Sequence, residues 1–444
     1  MTRKASMQAA GGASMDPRFH GLWAVTAGAA PAPRPLDHDL GVDVAVVGGG
    51  YTGLSTALHL AESGEVSVAV LEARDIGFGA SGRNAGLVNA GAWLPPDELP
   101  ARLGDDYGNR LLETLGNAPD LVFEIIRRYG IACEAVRNGN LHCAVGAAGL
   151  ADINERARQW HARGVPVCIL DAKETARLVG SERFSGAMLD PRAGTIQPLS
   201  YARGLAQAAA GLGARIHAAT AVTRAEYGAT GWRLSTSTGH VVRATRVVVA
   251  TNTAQEAGPD PWPQLQKALV RLPYFNVATA PLPAELSQRI LPQGHGAWDT
   301  CKVLSSFRKD AAGRLVYGSV GDVSDRPGDA HVQWVRRCLR RLDPDLARVP
   351  IEHRWYGWID ITATHLPYLY QPGPNAWAIF GYNGRGIGPG TVFGRALAEL
   401  LLGRRTPDQM PLPVNAVVPI GFKPLREVFY RSGSKVAHLL SKRF

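Results

Sequence analysis

The stretch Val44-Ala45-Val46-Val47-Gly48-Gly49-Gly50-Tyr51-Thr52-Gly53 decides how this chain is read. Four apolar residues in succession have the composition of a strand buried on both faces, as in a parallel sheet. Gly48, Gly50 and Gly53 then fit the spacing G-x-G-x-x-G. Beyond them Leu54, Ala57, Leu58 and Ala61 recur at helical spacing, and Val66 to Leu71 supplies a second apolar strand. A strand before, a helix after and a second strand closing the unit give the spacing a mechanical meaning. Gly48 permits the tight turn, Gly50 lets backbone N–H groups approach a pyrophosphate, and Gly53 lets the helix close on the strand. Tyr51 and Thr52 open that helix, whose unsatisfied N–H groups and dipole favour an anion. Glu72 ends the second strand about 20 residues after the last glycine, where an acid accepts ribose hydroxyls and disfavours a 2′-phosphate.

Working outward, Tyr201 to Leu212 reads as a helix and Val247-Val248-Val249-Ala250 as another buried strand. Residues 101–180 read as mostly helical, and Arg271 to Gly321 alternates as antiparallel strands do. Trp377-Ala378-Ile379-Phe380 reads as a strand and Thr391 to Leu402 as a helix. Between them lies a second glycine loop, Gly384-Arg385-Gly386-Ile387-Gly388. No acid ends a strand about 20 residues beyond it, so it serves the nucleotide held by the first loop. The fold class is α/β: a Rossmann-type nucleotide domain built from discontinuous segments, plus an α+β substrate domain with an antiparallel sheet. The expected borders are an N-terminal arm at 1–40, nucleotide segments at 41–100, 185–262 and 352–405, substrate segments at 101–184 and 263–351, and a basic arm at 406–444.

At 444 residues with 45% hydrophobic and 19% charged residues, the chain is long enough for two or three domains with ordinary cores. The formal charge of +10 raises nucleic acid as a partner. Much of the excess sits in the terminal arm, where Lys423, Arg426, Arg431, Lys435, Lys442 and Arg443 face one acid, Glu427. No basic face with interleaved aromatics accompanies it, so nucleic acid is not expected, and peripheral membrane contact through this arm is the lesser alternative. Cys133, Cys143, Cys168, Cys301 and Cys338 are odd in number and scattered, which fits free thiols rather than a disulfide framework. No metal-ligand spacing occurs among the 12 histidines. With no apolar leader or long apolar run, the expected location is cytoplasmic.

Further residues carry a resemblance: Gly21-Leu22-Trp23, the loop Ala80-Ser81-Gly82-Arg83-Asn84-Ala85-Gly86, Gly194-Thr195-Ile196-Gln197-Pro198, Ala250-Thr251-Asn252, and Gly381 to Gly388. With the first glycine loop, they make the chain resemble the D-amino-acid-oxidase-like superfamily of FAD-dependent oxidoreductases. Within it the chain is similar to the gamma-glutamylputrescine oxidase-like branch, related to glycine and sarcosine oxidases. The resemblance implies that Gly48, Gly50, Gly53, Glu72, Ala73 and Arg74 hold the ADP half of FAD. It implies that Ser81, Gly82, Arg83, Asn84, Ala85, Gly86 and Leu87 lie beside the pyrophosphate and flavin. Val222 matches the position whose backbone meets adenine, and Thr251 and Asn252 follow the strand that closes over the nucleotide. Some relatives attach flavin through a cysteine before the last glycine loop; His365-Leu366-Pro367-Tyr368 has none, so FAD is expected to be non-covalent.

The chemistry implied is hydride transfer from an amine or amino acid to flavin N5, giving an imine, with oxygen as acceptor. It asks for orientation, electrostatics and a dry pocket rather than a protein nucleophile. Candidates for an aromatic box are Trp355, Tyr356, Trp358, Tyr274 and Tyr382, with Trp358 preferred. Arg83 has two readings, a cation favouring flavin reduction or a phosphate contact. Lys302 also has two, the cation that promotes oxygen reduction or a solvated lysine. Arg354 and Arg308 are weighed as substrate-carboxylate clamps and read as structural. An amine dehydrogenase serving a quinone and a non-catalytic flavin-binding subunit are the rival readings.

Overall fold

The computed structural model describes residues 20–28, 34–252, 260–324 and 328–440. Leu40–Val47 is the central strand, paired in parallel with Val68–Leu71 on one side and Val241–Val249 on the other. Arg215–His217 extends the sheet beyond Val68–Leu71, and Ala376–Phe380 and Tyr368–Gly373 extend it at the other edge. Because successive side chains point to opposite faces, the central strand feeds two cores at once. Val44 and Val46 face the core shared with Leu54, Leu205 and Phe393 of three helices, Tyr51–Ser63, Pro198–Gly211 and Ile387–Leu401. Ala45 and Val47 face a second core with Trp232, Leu234 and Trp262, covered by the hairpin Val222–Gly228 and Gly231–Thr236.

The second sheet runs Ile351–Ile361, Val270–Pro281, Arg314–Val320, Ser305–Lys309, Gly296–Asp299, Asn140–Ala144, Gly186–Asp190, Cys168–Leu170. All its pairs are antiparallel except Gly296–Asp299 with Asn140–Ala144. Phe275, Phe307 and Tyr317 pack under the Ala330–Leu342 helix. Their neighbours Tyr274 and Ser306 turn to the other face and line a cavity between the two sheets.

Two strands fall on the other side of the expected borders. Ile351–Ile361 pairs in register along Val270–Pro281, with Trp358 opposite Pro273, and Gly186–Asp190 pairs with Asn140–Ala144. Alternation marks a strand but not the sheet it joins; pairing partners do. Leu111, Leu115, Val122 and Ile125, from helices read with the substrate segments, belong to the core of the nucleotide sheet. Pro407–Gln409 forms a short turn, and the terminal arm folds as the Lys423–Leu440 helix, seated on Val270–Pro281 and Ala330–Leu342. The Ala30–Pro33 stretch and Lys442 and Arg443 lie outside the described residues. All five cysteines are free thiols.

Candidate active site

A cavity of about 540 Å³ runs between the sheets. One end is walled by Gly48 to Thr52 and by Glu72, Ala73 and Arg74. Gly48 has φ 114°, and a Cβ there would lie 2.7 Å from Ala250 O, so the turn accepts glycine alone. A Cβ on Gly53 would lie 2.1 Å from Gly48 O; this glycine serves helix–strand contact and lies outside the cavity wall. A Cβ on Gly50 would stand 3.0 Å from Ser81 Oγ, which also accepts from the Tyr51 N–H at 3.1 Å.

Glu72 organises this end. Its Oε2 accepts from the Gly49 N–H at 2.7 Å and its Oε1 from the Arg74 N–H at 2.8 Å. Each oxygen keeps a further lone pair for a ligand hydroxyl. Burial raises the carboxyl pKa, against the two backbone bonds that lower it. Val222, Thr251 and Asn252 line the same region.

The loop after Glu72 runs along the middle. Ser81, Arg83, Asn84, Ala85 and Leu87 line the cavity. Gly82 and Gly86 serve packing: their Cβ atoms would lie 2.3 Å from Gly77 O and 2.1 Å from Ile196 O. Asn84 braces the loop, donating to Tyr51 Oη at 3.1 Å and accepting from the Gly86 N–H at 2.8 Å. The Arg83 carbonyl accepts from Trp355 Nε1 at 3.0 Å and Asn276 Nδ2 at 3.2 Å. Its guanidinium lies 4.4 Å from the centroid of Phe78, a cavity residue that glycine spacing does not reveal.

The second glycine loop closes the far side. Gly384, Arg385, Gly386 and Ile387 line the cavity, whereas Gly388 abuts Ala118. Close helix packing brings this loop to the first: a Cβ on Gly394 would lie 2.5 Å from Ser55 Cβ, and one on Gly390 2.9 Å from Tyr51 Cβ. Thr52 Oγ1 and Tyr382 Oη are 2.6 Å apart, joining the two loop segments directly. Asn252 Nδ2 donates to the Asp360 carboxylate, and Asn383 donates to Gly381 O at 2.7 Å.

Of the aromatic candidates, Tyr274, Trp358 and Tyr382 line the cavity. Trp355 does not: it is fully buried against Trp23, 5.5 Å away in an edge-on pair. Tyr356 packs against the core under the Ala330–Leu342 helix. Tyr356 and Trp358 share a face of Ile351–Ile361, with their rings 5.9 Å apart edge-on, so strand alternation does not tell them apart, while Trp355 is drawn to the N-terminal Leu22–Thr26 helix, a contact not written in local spacing. Trp298, Trp93, His365, Asp360, Asp260 and Tyr430 join the wall without a sequence signal. Lys302 lines the cavity on the turn after Gly296–Asp299. Arg385 donates to Ala90 O at 3.0 Å and lies over Trp298 at 5.2 Å. Burial, then Arg156, pushes its pKa down to about 9, which leaves it cationic at neutral pH. Arg354 donates to Ser324 O at 2.9 Å, and Arg308 is buried over Trp23; neither lines the cavity.

This cavity fits a dinucleotide of FAD type. Its glycine cradle leaves no room for side chains at Gly48, an acid and a helix N-terminus share one end, and an aromatic wall closes the other. A gamma-glutamylputrescine oxidoreductase of Escherichia coli (strain K12) is 35% identical over 370 residues, covering 83% of this chain and 85% of that protein. A probable oxidoreductase OrdL of Rhizobium meliloti (strain 1021) is 32% identical over 82% of this chain and 84% of its own length. The glycine oxidase of Geobacillus kaustophilus superposes with a TM-score of 0.70 at 24% identity, over 85% of this chain and 100% of that one, and so shares the fold. The family model for FAD dependent oxidoreductases, DAO, matches residues 43–400, and this chain belongs to that family, with FAD as its cofactor.

Proposed function

We propose that the protein oxidises a C–N bond of a small amine or amino acid to an imine, with oxygen as the acceptor. The observation that carries this reading is the continuity of one cavity from the phosphate-binding turn to a wall of Tyr274, Trp298 and Trp358. FAD, when bound, supplies the two-electron acceptor. The ADP end falls to Glu72 and the Gly48–Thr52 turn, and the flavin end to the Ser81–Leu87 and Gly384–Ile387 loops.

Only a neutral amine can give up hydride, and the aromatic wall favours that form because desolvation penalises the ammonium ion. The wall also excludes water from the reacting carbon. Lys302 and Arg385 give the substrate end positive charge, which suits a substrate carrying a carboxylate away from its amine. A gamma-glutamylated amine, as in the name of the Escherichia coli relative, has that form. Lys302 further offers a cation where negative charge develops as oxygen is reduced. Non-covalent binding of FAD is part of this reading, since the stretch His365-Leu366-Pro367-Tyr368 before the last glycine loop contains no cysteine.

An anaerobic panel of polyamines, gamma-glutamylated amines, N-methyl amino acids and simple secondary amines tests it. Bleaching of the flavin band by one class, with peroxide formed on admitting air, is expected. A flavin that no amine bleaches contradicts it, and bleaching that is reversed by a quinone dye but not by air moves the protein to the dehydrogenase reading.

A further inference from the structure

Twelve large hydrophobic side chains are strongly exposed among the described residues, and eight of them lie between Val414 and Leu439. Five belong to the Lys423–Leu440 helix: Leu425 at 68% exposure, Val428, Phe429 at 70%, Val436 and Leu439 at 63%. At about 100° per residue they fall on a single outward stripe, interrupted by Ser432. The helix is inverted with respect to an ordinary surface helix, which buries its apolar face. Its inward face carries Glu427, Tyr430, Ser434 and His438. His438 Nδ1 lies 2.7 Å from His331 Nδ1, and Glu427 Oε1 accepts from the Arg271 N–H at 3.1 Å. Polar contacts thus hold the helix with its apolar side outward.

The neighbouring Ala330–Leu342 helix contains Arg336, Arg337, Arg340 and Arg341 and no acid. Arg336 and Arg340 are exposed, and Arg337 donates to His438 O at 2.8 Å, which ties the arginine row to the apolar stripe. Arg431 and Lys435 share a single acid, Asp322, at 2.7 and 3.4 Å. Arg426 is exposed as well.

We infer that this face docks on an anionic lipid surface. The Lys423–Leu440 helix would lie in the headgroup plane, its stripe entering the acyl boundary while the arginine row meets lipid phosphates. Charge selects this occupant over a second copy of the chain. A two-fold contact through the stripe would set two arginine rows near each other, with the helix's one acid, Glu427, already bonded inward. Among the described residues no helix is long and apolar enough to cross a membrane, so the contact is peripheral. Tyr430 of the same helix lines the cavity, which places its wall against the lipid-facing element. The inference stands on these surfaces and does not depend on which amine is oxidised.

The test is flotation of the FAD-loaded, full-length protein with vesicles of phosphatidylcholine mixed with phosphatidylglycerol, and with phosphatidylcholine alone. The protein is expected to float with the mixed vesicles only, and less so as salt is raised. The double variants Leu425→Ser/Phe429→Ser and Arg336→Glu/Arg340→Glu should each bind at least about tenfold more weakly. Unchanged flavin absorbance in the variants shows that they are folded. Failure of the wild type to float overturns the inference, as does flotation of both variants like the wild type. A vesicle-indifferent dimer that Phe429→Ser converts to monomer also overturns it, in favour of contact between copies.

Discussion

Thr52 Oγ1 and Tyr382 Oη stand 2.6 Å apart, although 330 residues of chain separate them. Thr52 opens the helix after the first glycine loop, and Tyr382 precedes the second. Burial raises the Tyr382 pKa, so the phenol stays protonated and the contact is a neutral hydrogen bond. The two loops are therefore held as parts of one site. The close approach of their helices at Gly390 and Gly394 makes that possible.

Gly394→Val tests that approach. A side chain there meets Ser55 Cβ at 2.5 Å and Thr52 O at 2.8 Å, so the helices must part. Overpacking of this kind costs about 1–3 kcal/mol. A lowered melting temperature together with a reduced ratio of flavin to protein absorbance is expected. A variant that melts lower yet keeps its full flavin content would show that helix spacing does not govern the site.

Glu72→Ala removes the acceptor of the Gly49 and Arg74 N–H groups. Hydrogen bonds to a charged group contribute about 1.5–3 kcal/mol each. FAD affinity, measured by titrating the apoprotein, should fall by at least about tenfold, and Glu72→Gln should recover part of the loss. Equal affinity in Glu72→Ala and wild type would remove Glu72 from the site.

Lys302→Met should slow reoxidation of the reduced enzyme by oxygen far more than anaerobic reduction by the amine, because the lysine contributes charge rather than shape. Stopped-flow traces of the two half-reactions separate the effects. Equal slowing of both would assign Lys302 to substrate binding instead.

Asp322 gives a pH dependence. His331, against the opposing effect of burial, then Arg431 and Lys435, hold its carboxyl well below the usual carboxylate range. A carboxyl lowered in the fold contributes stability that is complete above its unfolded pKa of about 3.9 and is lost as the pH falls through the lower folded value. The melting-temperature gap between wild type and Asp322→Asn should be constant above about pH 5 and shrink on acidification. A gap that widens toward acid has the wrong sign for this arrangement.

The nucleotide half of the molecule is legible because its signals are local. Gly48, Gly50, Gly53 and Glu72 sit at spacings fixed by one turn and one strand, and Val44 to Val47 announce a strand buried on both faces. The second loop is legible as a helix entry, but the packing of Gly390 and Gly394 that brings it to the first is a long-range fact. The aromatic wall is less legible. Trp355 and Trp358 look alike in sequence, yet one packs against Trp23 and the other lines the cavity, and Tyr356, on the same strand face as Trp358, does not line it, so period-2 alternation does not sort the three. Trp298 and Trp93 arrive from separate strands and loops and carry no shared pattern. The terminal helix reads as a basic arm when only charge is counted; its outward stripe emerges once Tyr430 and His438 are seen to face inward.

The most direct test of the account is the flavin content of the purified protein, read before and after acid precipitation. Two glycine loops gripping one dinucleotide predict one FAD per chain, all of it released into the supernatant when the protein is denatured. A protein that stays colourless after reconstitution with FAD, or that binds two nucleotides per chain, would contradict it.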